Sequence, residues 1–184
     1  GEPYCTTSTV TYNPWLEIWV PEDRIQVVDW PLDTNVLVTI DSDFDLQNGV
    51  LFQRSYARGS EARIDIQLAG EFDIQPGQVI TVADANYTRL HQVTDMQVTG
   101  WDMSQDTIYG TAQPYSPVNV HARNADTDWV WRSAEADGEG NWVVDFSDPG
   151  SSPAEQTLLD VQPGTGGAAT QGGRLPGEGG QTHY

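Results

Sequence analysis

The sequence predicts an all-β protein built as two tandem β-domains with extended terminal arms. Three observations carry this. One turn occurs twice: Asp73-Ile74-Gln75-Pro76-Gly77 leads into Gln78-Val79-Ile80-Thr81-Val82, and Asp160-Val161-Gln162-Pro163-Gly164 leads into Thr165-Gly166-Gly167-Ala168-Ala169-Thr170. Proline presets φ for the second position of a β-turn, and glycine accepts the positive φ that a type II turn needs next. Short apolar runs alternate with polar residues between turn signals, and no stretch sustains a 3.6-residue apolar period with a cap. Two copies of one strand-closing turn in 184 residues divide the chain into an arm over residues 1–13, a first domain over 14–84 and a second over 85–184.

The elements follow in order. Residues 1–13 are polar and β-prone, suited to a frayed arm or to a strand laid on another sheet edge. Trp15–Val20 is a short apolar strand stopped by Pro21, and Ile25–Trp30 follows before the turn Pro31-Leu32-Asp33-Thr34. Asn35–Ile40 alternates as a half-buried strand does. After an acidic turn come Val50–Phe52 and then Ala62–Leu68, which places Ala62, Ile64, Ile66 and Leu68 on one face. Val79–Val82 closes the first domain near Asp84, and residues 85–95 read as an extended linker. The second domain runs through Met96–Trp101, Thr107–Ala112 and Val118–Arg123. Trp129–Arg132 and Trp142–Phe146 then form a hairpin-like pair around Asp137-Gly138-Glu139-Gly140-Asn141, with Asn and Gly in left-handed positions.

Composition narrows the function classes. Acidic residues number 27 against eight basic ones, a formal charge of −19, so the surface repels phosphate backbones and anionic membranes. All eight basic residues are Arg; with no Lys, Schiff bases, P-loop lysines and Lys–Asn isopeptide staples are excluded within the chain. Cys5 is the single cysteine, so no intramolecular disulfide forms; a free thiol is expected, with pairing to a group outside the chain as the alternative. No run approaches the apolar length of a membrane span. The opening Gly-Glu-Pro-Tyr suggests a mature product after removal of a leader, hence an expected secreted or cell-surface location.

Ile108-Tyr109-Gly110-Thr111-Ala112 with Val118-Asn119-Val120, followed by Ala136-Asp137-Gly138-Glu139-Gly140-Asn141-Trp142-Val143-Val144-Asp145-Phe146, resembles the bacterial immunoglobulin-like repeats of large secreted and surface proteins. Tyr115-Ser116-Pro117 departs from the Gly-containing turn usual in that family. The likeness covers roughly residues 95–164; the first domain shares only the turn and strand order. It implies tandem immunoglobulin-like sandwiches of about seven strands each, used as spacer, adhesin stalk or fibre subunit and rarely carrying enzymatic sites.

Candidate sites are few. Asp41, Asp43 and Asp45 alternate in a turn and could converge on Ca²⁺, a cation that takes six to eight oxygens; the EF-hand spacing fails because Phe52 stands at the twelfth position, and a solvated acidic turn is the alternative. His91, His121 and His183 lack partners at zinc spacing. No nucleophile elbow is present, so no catalytic residue is assigned and the chain is not expected to be an enzyme. Trp129 and Trp131 lie two apart on one strand face: exposed, they would stack on pyranose rings, and buried, they would pack the core with Trp142, the arrangement the sequence favours.

The Gly-rich tail from Gly164 to Tyr184 holds no strong apolar run and is expected to need a partner to order it. Neighbouring copies are the simplest agents, with Thr7, Thr9, Val10 and Tyr12 as subunit contacts; the chain's own second domain is the alternative. The resulting expectation is a structural subunit of an extracellular filament or surface assembly, joined head to tail. The second reading is an adhesive or carbohydrate-binding module whose partners are surface glycans.

Overall fold

The computed structural model describes residues 12–43, 49–61, 63–172 and 180–183, the last four by their backbone. Among these, fourteen strands and two single 3₁₀ turns account for the regular structure, so the chain is all-β. The first half contains β1 (Trp15–Trp19), β2 (Arg24–Val28), β3 (Asn35–Asp41), β4 (Val50–Ala57), β5 (Arg63–Gln67), β6 (Val79–Ala83) and β7 (Thr88–Gln92). The second contains β8 (Gln97–Asp102), β9 (Thr107–Thr111), β10 (Pro117–Arg123), β11 (Val130–Glu135), β12 (Asn141–Asp145), β13 (Gly166–Gln171) and β14 (Gly180–His183).

Each half folds as two facing layers. In the first, β1-β2-β5 faces β4-β3-β6-β7; in the second, β8-β9-β12 faces β11-β10-β13-β14. Strand for strand, the two orders are the same. Alternation explains the layers: Leu16, Ile18, Ile25, Val27 and Ile66 point from one sheet, and Val36, Val38, Ile40, Ile80 and Val82 from the other, into one core. A second core, with no member in common, gathers Val118, Val120, Trp142, Val144, Phe146, Leu159 and Val161. Each fully buried Leu, Ile or Phe contributes roughly 1.5–3 kcal/mol.

The repeated turn is built alike in both halves. Gly77 and Gly164 take φ of 93° and 95°, the left-handed region that glycine enters without a Cβ penalty. A second repeated device has no sequence motif. Asp23 and Asp106 both adopt positive φ; the carbonyl of each accepts the N–H of Leu68 or Phe146, and the carboxylate of each accepts, at 2.8 Å, the N–H of Ile74 or Val161. One aspartate thus clamps the Pro-Gly turn onto its own core.

Several expectations are corrected. Residues 85–95 are not a linker: β7 pairs with β6 along its length and Val93 belongs to the first core. β11 and β12 do not form a hairpin. β11 pairs with β10, β12 pairs with β9, and the residues between them cross from one layer to the other. Gly140 is left-handed there, whereas Asn141 opens β12. The tail is used within the chain: β13 pairs with β10, and β14 lies antiparallel to β13 and parallel to β1. That single strand fuses a layer from each half into a seven-stranded sheet, β11-β10-β13-β14-β1-β2-β5. Backbone pairing holds β13 and β14 in the sheet, with Ala168 and Ala169 as the small buried side chains of β13, which is why composition concealed the strands.

Candidate functional site

The outer face of β10 and β11 carries an aromatic cluster. Val118, Val120 and Ala122 of β10 and Val130 of β11 point into the second core, so the intervening residues must point out. The register sets His121 opposite Trp131 and Asn119 opposite Ser133. Trp129, just before β11, reaches the same face. The His121 ring lies 4.7 Å from the Trp131 ring and 4.9 Å from the Trp129 ring, tilted 37° and 67°, and so sits between the two indoles. The Arg123 guanidinium lies over Trp129 at 4.6 Å. Trp129 and Trp131 are 43% and 47% exposed. The expectation of Trp129 and Trp131 in the core is therefore corrected: of these two and Trp142, Trp142 alone is buried in the second core, because β11 presents its odd residues to solvent.

The face is held stiffly. Burial between the indoles pushes the His121 imidazole below its ordinary value near 6.5, which keeps it neutral at pH 7. Beneath Trp131 lies Arg132, 4% exposed, whose guanidinium donates to the carbonyls of Trp131, Asp145, Phe146, Asp148 and Thr157. Buried Glu155, whose pKa is lowered first by the Ser133 hydroxyl, supplies the largest compensating charge, ahead of Asp145 and Asp148. Arg132 escaped the sequence reading because a charged residue in an alternating strand is expected to face water; only its burial identifies it. The result is a rigid platform of two half-exposed indoles with a cation and the polar Asn119 and Ser133 at its border, suited to stacking on a flat, partly apolar ligand.

The acidic turn is not assembled in the same way. Asp41 is fully buried at the end of β3, beside a register shift, and neither carboxylate oxygen has a hydrogen-bond partner among the described residues. Asp43 is exposed, and Asp45 lies outside the described residues. Among the described residues no group of three His, Cys, Asp or Glu stands within metal-binding reach. Of the arm contacts, Thr7, Thr9 and Val10, like Cys5, lie outside the described residues. Tyr12 is half-buried beside Asn13, whose N–H donates to Asp29 at 2.7 Å. No described helix is long and apolar enough to cross a membrane.

No protein-family model and no curated protein matches the chain. Among solved structures it is similar to one described as "Biofilm associated protein - BSP domain", at 10% identity over 93% of this chain and 28% of that one, with a TM-score of 0.31. It is similar also to the "tetra-tandem repeat in extending region of large adhesion protein", at 16% identity over 92% of this chain and 48% of that one, with a TM-score of 0.29. The chain thus spans about a quarter of the first structure and about half of the second. Likenesses of this degree carry no argument about role.

Proposed function

We propose that the chain is an adhesive module of an extracellular surface protein: two immunoglobulin-like sandwiches in tandem that hold a carbohydrate-binding face on β10–β11. The observation that carries this reading is the pair of half-exposed indoles, Trp129 and Trp131, bracketing a neutral histidine on a rigid sheet. A pyranose ring presents axial C–H groups that stack on an indole, while its hydroxyls find Arg123, Asn119 and Ser133 at the rim. The formal charge of −19 keeps such a module soluble and disfavours nonspecific contact with acidic surfaces. Secretion and a non-catalytic role belong to the same proposal.

Calcium is part of it at one residue only. A buried carboxylate without a bonded donor is costly unless a cation reaches it, and among the described residues Asp41 has no such donor.

The test is glycan-array binding of the purified chain beside Trp131→Ala and Trp129→Ala. Both indoles are exposed, so each variant should keep the parent melting temperature within about 2 °C while losing glycan binding roughly tenfold or more. No retained glycan, or retention unchanged in both variants, removes the carbohydrate reading.

A further inference from the structure

The strand that joins the two halves also fixes which way each of them faces. Ile18 of β1 and Gln171 of β13 both stand opposite Gln181 of β14. Residues in register on neighbouring strands share a face of the sheet, so Ile18 and Gln171 point to the same side. Ile18 belongs to the first core, and Gln171 lies two residues from Ala169 of the second. Both cores therefore lie against one side of the seven-stranded sheet. Its other side is one outer face that runs from β11 to β5.

The aromatic cluster on β10–β11 shares this outer face with a second one. Leu16 and Ile18 of β1 point into the first core, so Trp15 and Trp19 point out, both half-buried. Four of the seven tryptophans thus stand on one side of one sheet. The Arg24 guanidinium lies over the Trp19 ring at 4.0 Å, as that of Arg123 lies over Trp129 at 4.6 Å. Between the clusters the register aligns a row: Ser133 opposite Asn119, Asn119 opposite Thr170, Thr170 opposite Thr182, and Thr182 opposite Trp19. Asn119 and Thr170 point out because Val118, Val120 and Ala169 beside them point into the core. Trp131 is two residues along β11 from Ser133. From Trp131 to Trp19 is therefore four strand spacings across and two residue rises along, about 20 Å.

We propose that this face binds one extended, neutral polysaccharide chain laid across the strands, stacked on Trp129 and Trp131 at one end and on Trp19 at the other. The inference rests on the carbohydrate reading and extends it from a local platform to a path. Sugar rings stack on the indoles, and hydroxyls along the chain meet the amide of Asn119 and the hydroxyls of Ser133 and Thr170. The formal charge of −19 disfavours a polyanion. Twist selects a single chain. Neighbouring strands turn by about 20–25°, so the face turns by roughly 80–100° between β11 and β1. A flexible chain follows that turn, whereas the flat surface of a packed crystalline polysaccharide meets one end only. Once a chain is held at one cluster, its contact with the other is intramolecular and adds affinity without a second encounter.

Titration calorimetry of the full chain with a length series of neutral, linear oligosaccharides, in the linkage that the glycan array retains, tests this. Affinity for the parent should rise at least about tenfold once the ligand is longer than about 20 Å. Trp19→Ala should lose that gain and keep the parent's affinity for the short members, which need only Trp129 and Trp131. The retained short-ligand affinity also reports that the variant is folded. Arg24→Gln leaves the indole in place and removes the cation over it, and should reduce the gain about twofold to fivefold. If Trp19→Ala loses the short ligands as well, Arg24→Gln decides. Trp131→Ala should weaken short and long members alike. An affinity that does not grow with length, or a gain that survives these substitutions on β1 and β2, overturns the path and leaves the local platform standing. No binding at any length overturns the path and the carbohydrate reading together.

Discussion

Replacing Arg132 by Met tests whether one buried cation bolts the second half together. The substitution keeps the length and apolar stem of the side chain and removes every donor. Arg132 sits on β11 in one layer; its Nε reaches the carbonyls of Asp145 and Asp148 at 3.0 Å, and its Nη2 reaches Thr157 at 2.9 Å and Phe146 at 3.4 Å, in or beyond β12 of the facing layer. Its Nη1 donates to the Trp131 carbonyl at 2.7 Å, directly under the aromatic face. A hydrogen bond from a charged donor contributes about 1.5–3 kcal/mol. These bonds share one group, and some of the carbonyls would recover water. Breaking such a buried, charge-compensated cluster, and leaving Glu155 without its cation, therefore costs roughly 3–5 kcal/mol rather than their sum. At about 2–4 °C per kcal/mol for a chain of this size, the melting temperature should fall by roughly 6–20 °C in differential scanning calorimetry. Arg132→Lys should recover less than half of the loss, because one ammonium cannot reach carbonyls spread around a planar guanidinium. A fall below about 2 °C in the Met variant would refute the reasoning and mean that the carbonyls are satisfied without it.

Three further outcomes follow from the same geometry. The folded-state pKa of His121 is depressed by burial, so its contribution to stability is complete above the unfolded value near 6.5 and is lost as pH falls through the folded one. The melting temperature should drop between about pH 7 and 5, and less so in His121→Gln, before the carboxylates titrate near pH 4. Asp23→Ala and Asp106→Ala should each cost roughly 2 kcal/mol in urea unfolding, about half from the lost acceptor and half from alanine at positive φ. Near-equal values would establish the two aspartates as one device used twice, whereas a negligible cost at either removes the clamp. If Ca²⁺ reaches Asp41, millimolar Ca²⁺ should raise the parent melting temperature and leave Asp41→Asn unmoved; an equal response of both, or none in the parent, ends the calcium reading.

The legible parts of this fold are those that depend on a residue and its near neighbours. Period-two alternation marked the strands, as at Ile64, Ile66 and Leu68, because a side chain two residues on must return to the same face. The two Pro-Gly turns were readable because only glycine takes their φ at no steric cost. The candidate site was half legible. Trp129 and Trp131 were visible as a pair on one strand face, but alternation does not say which face is wet, and their size suggested the core.

By itself the sequence determined that the chain is all-β, that it repeats, where most strands lie, and that its formal charge is −19. The tertiary structure alone decided which strands are neighbours: β11 and β12 in opposite layers, β7 within the first half, and β14 beside β1 more than 150 residues away in sequence. It also decided that an arginine is buried and two tryptophans are not. The reason is physical. Backbone propensity and side-chain period act over a few residues, whereas strand pairing and burial are set by which distant surfaces fit together, and that choice has no local signature.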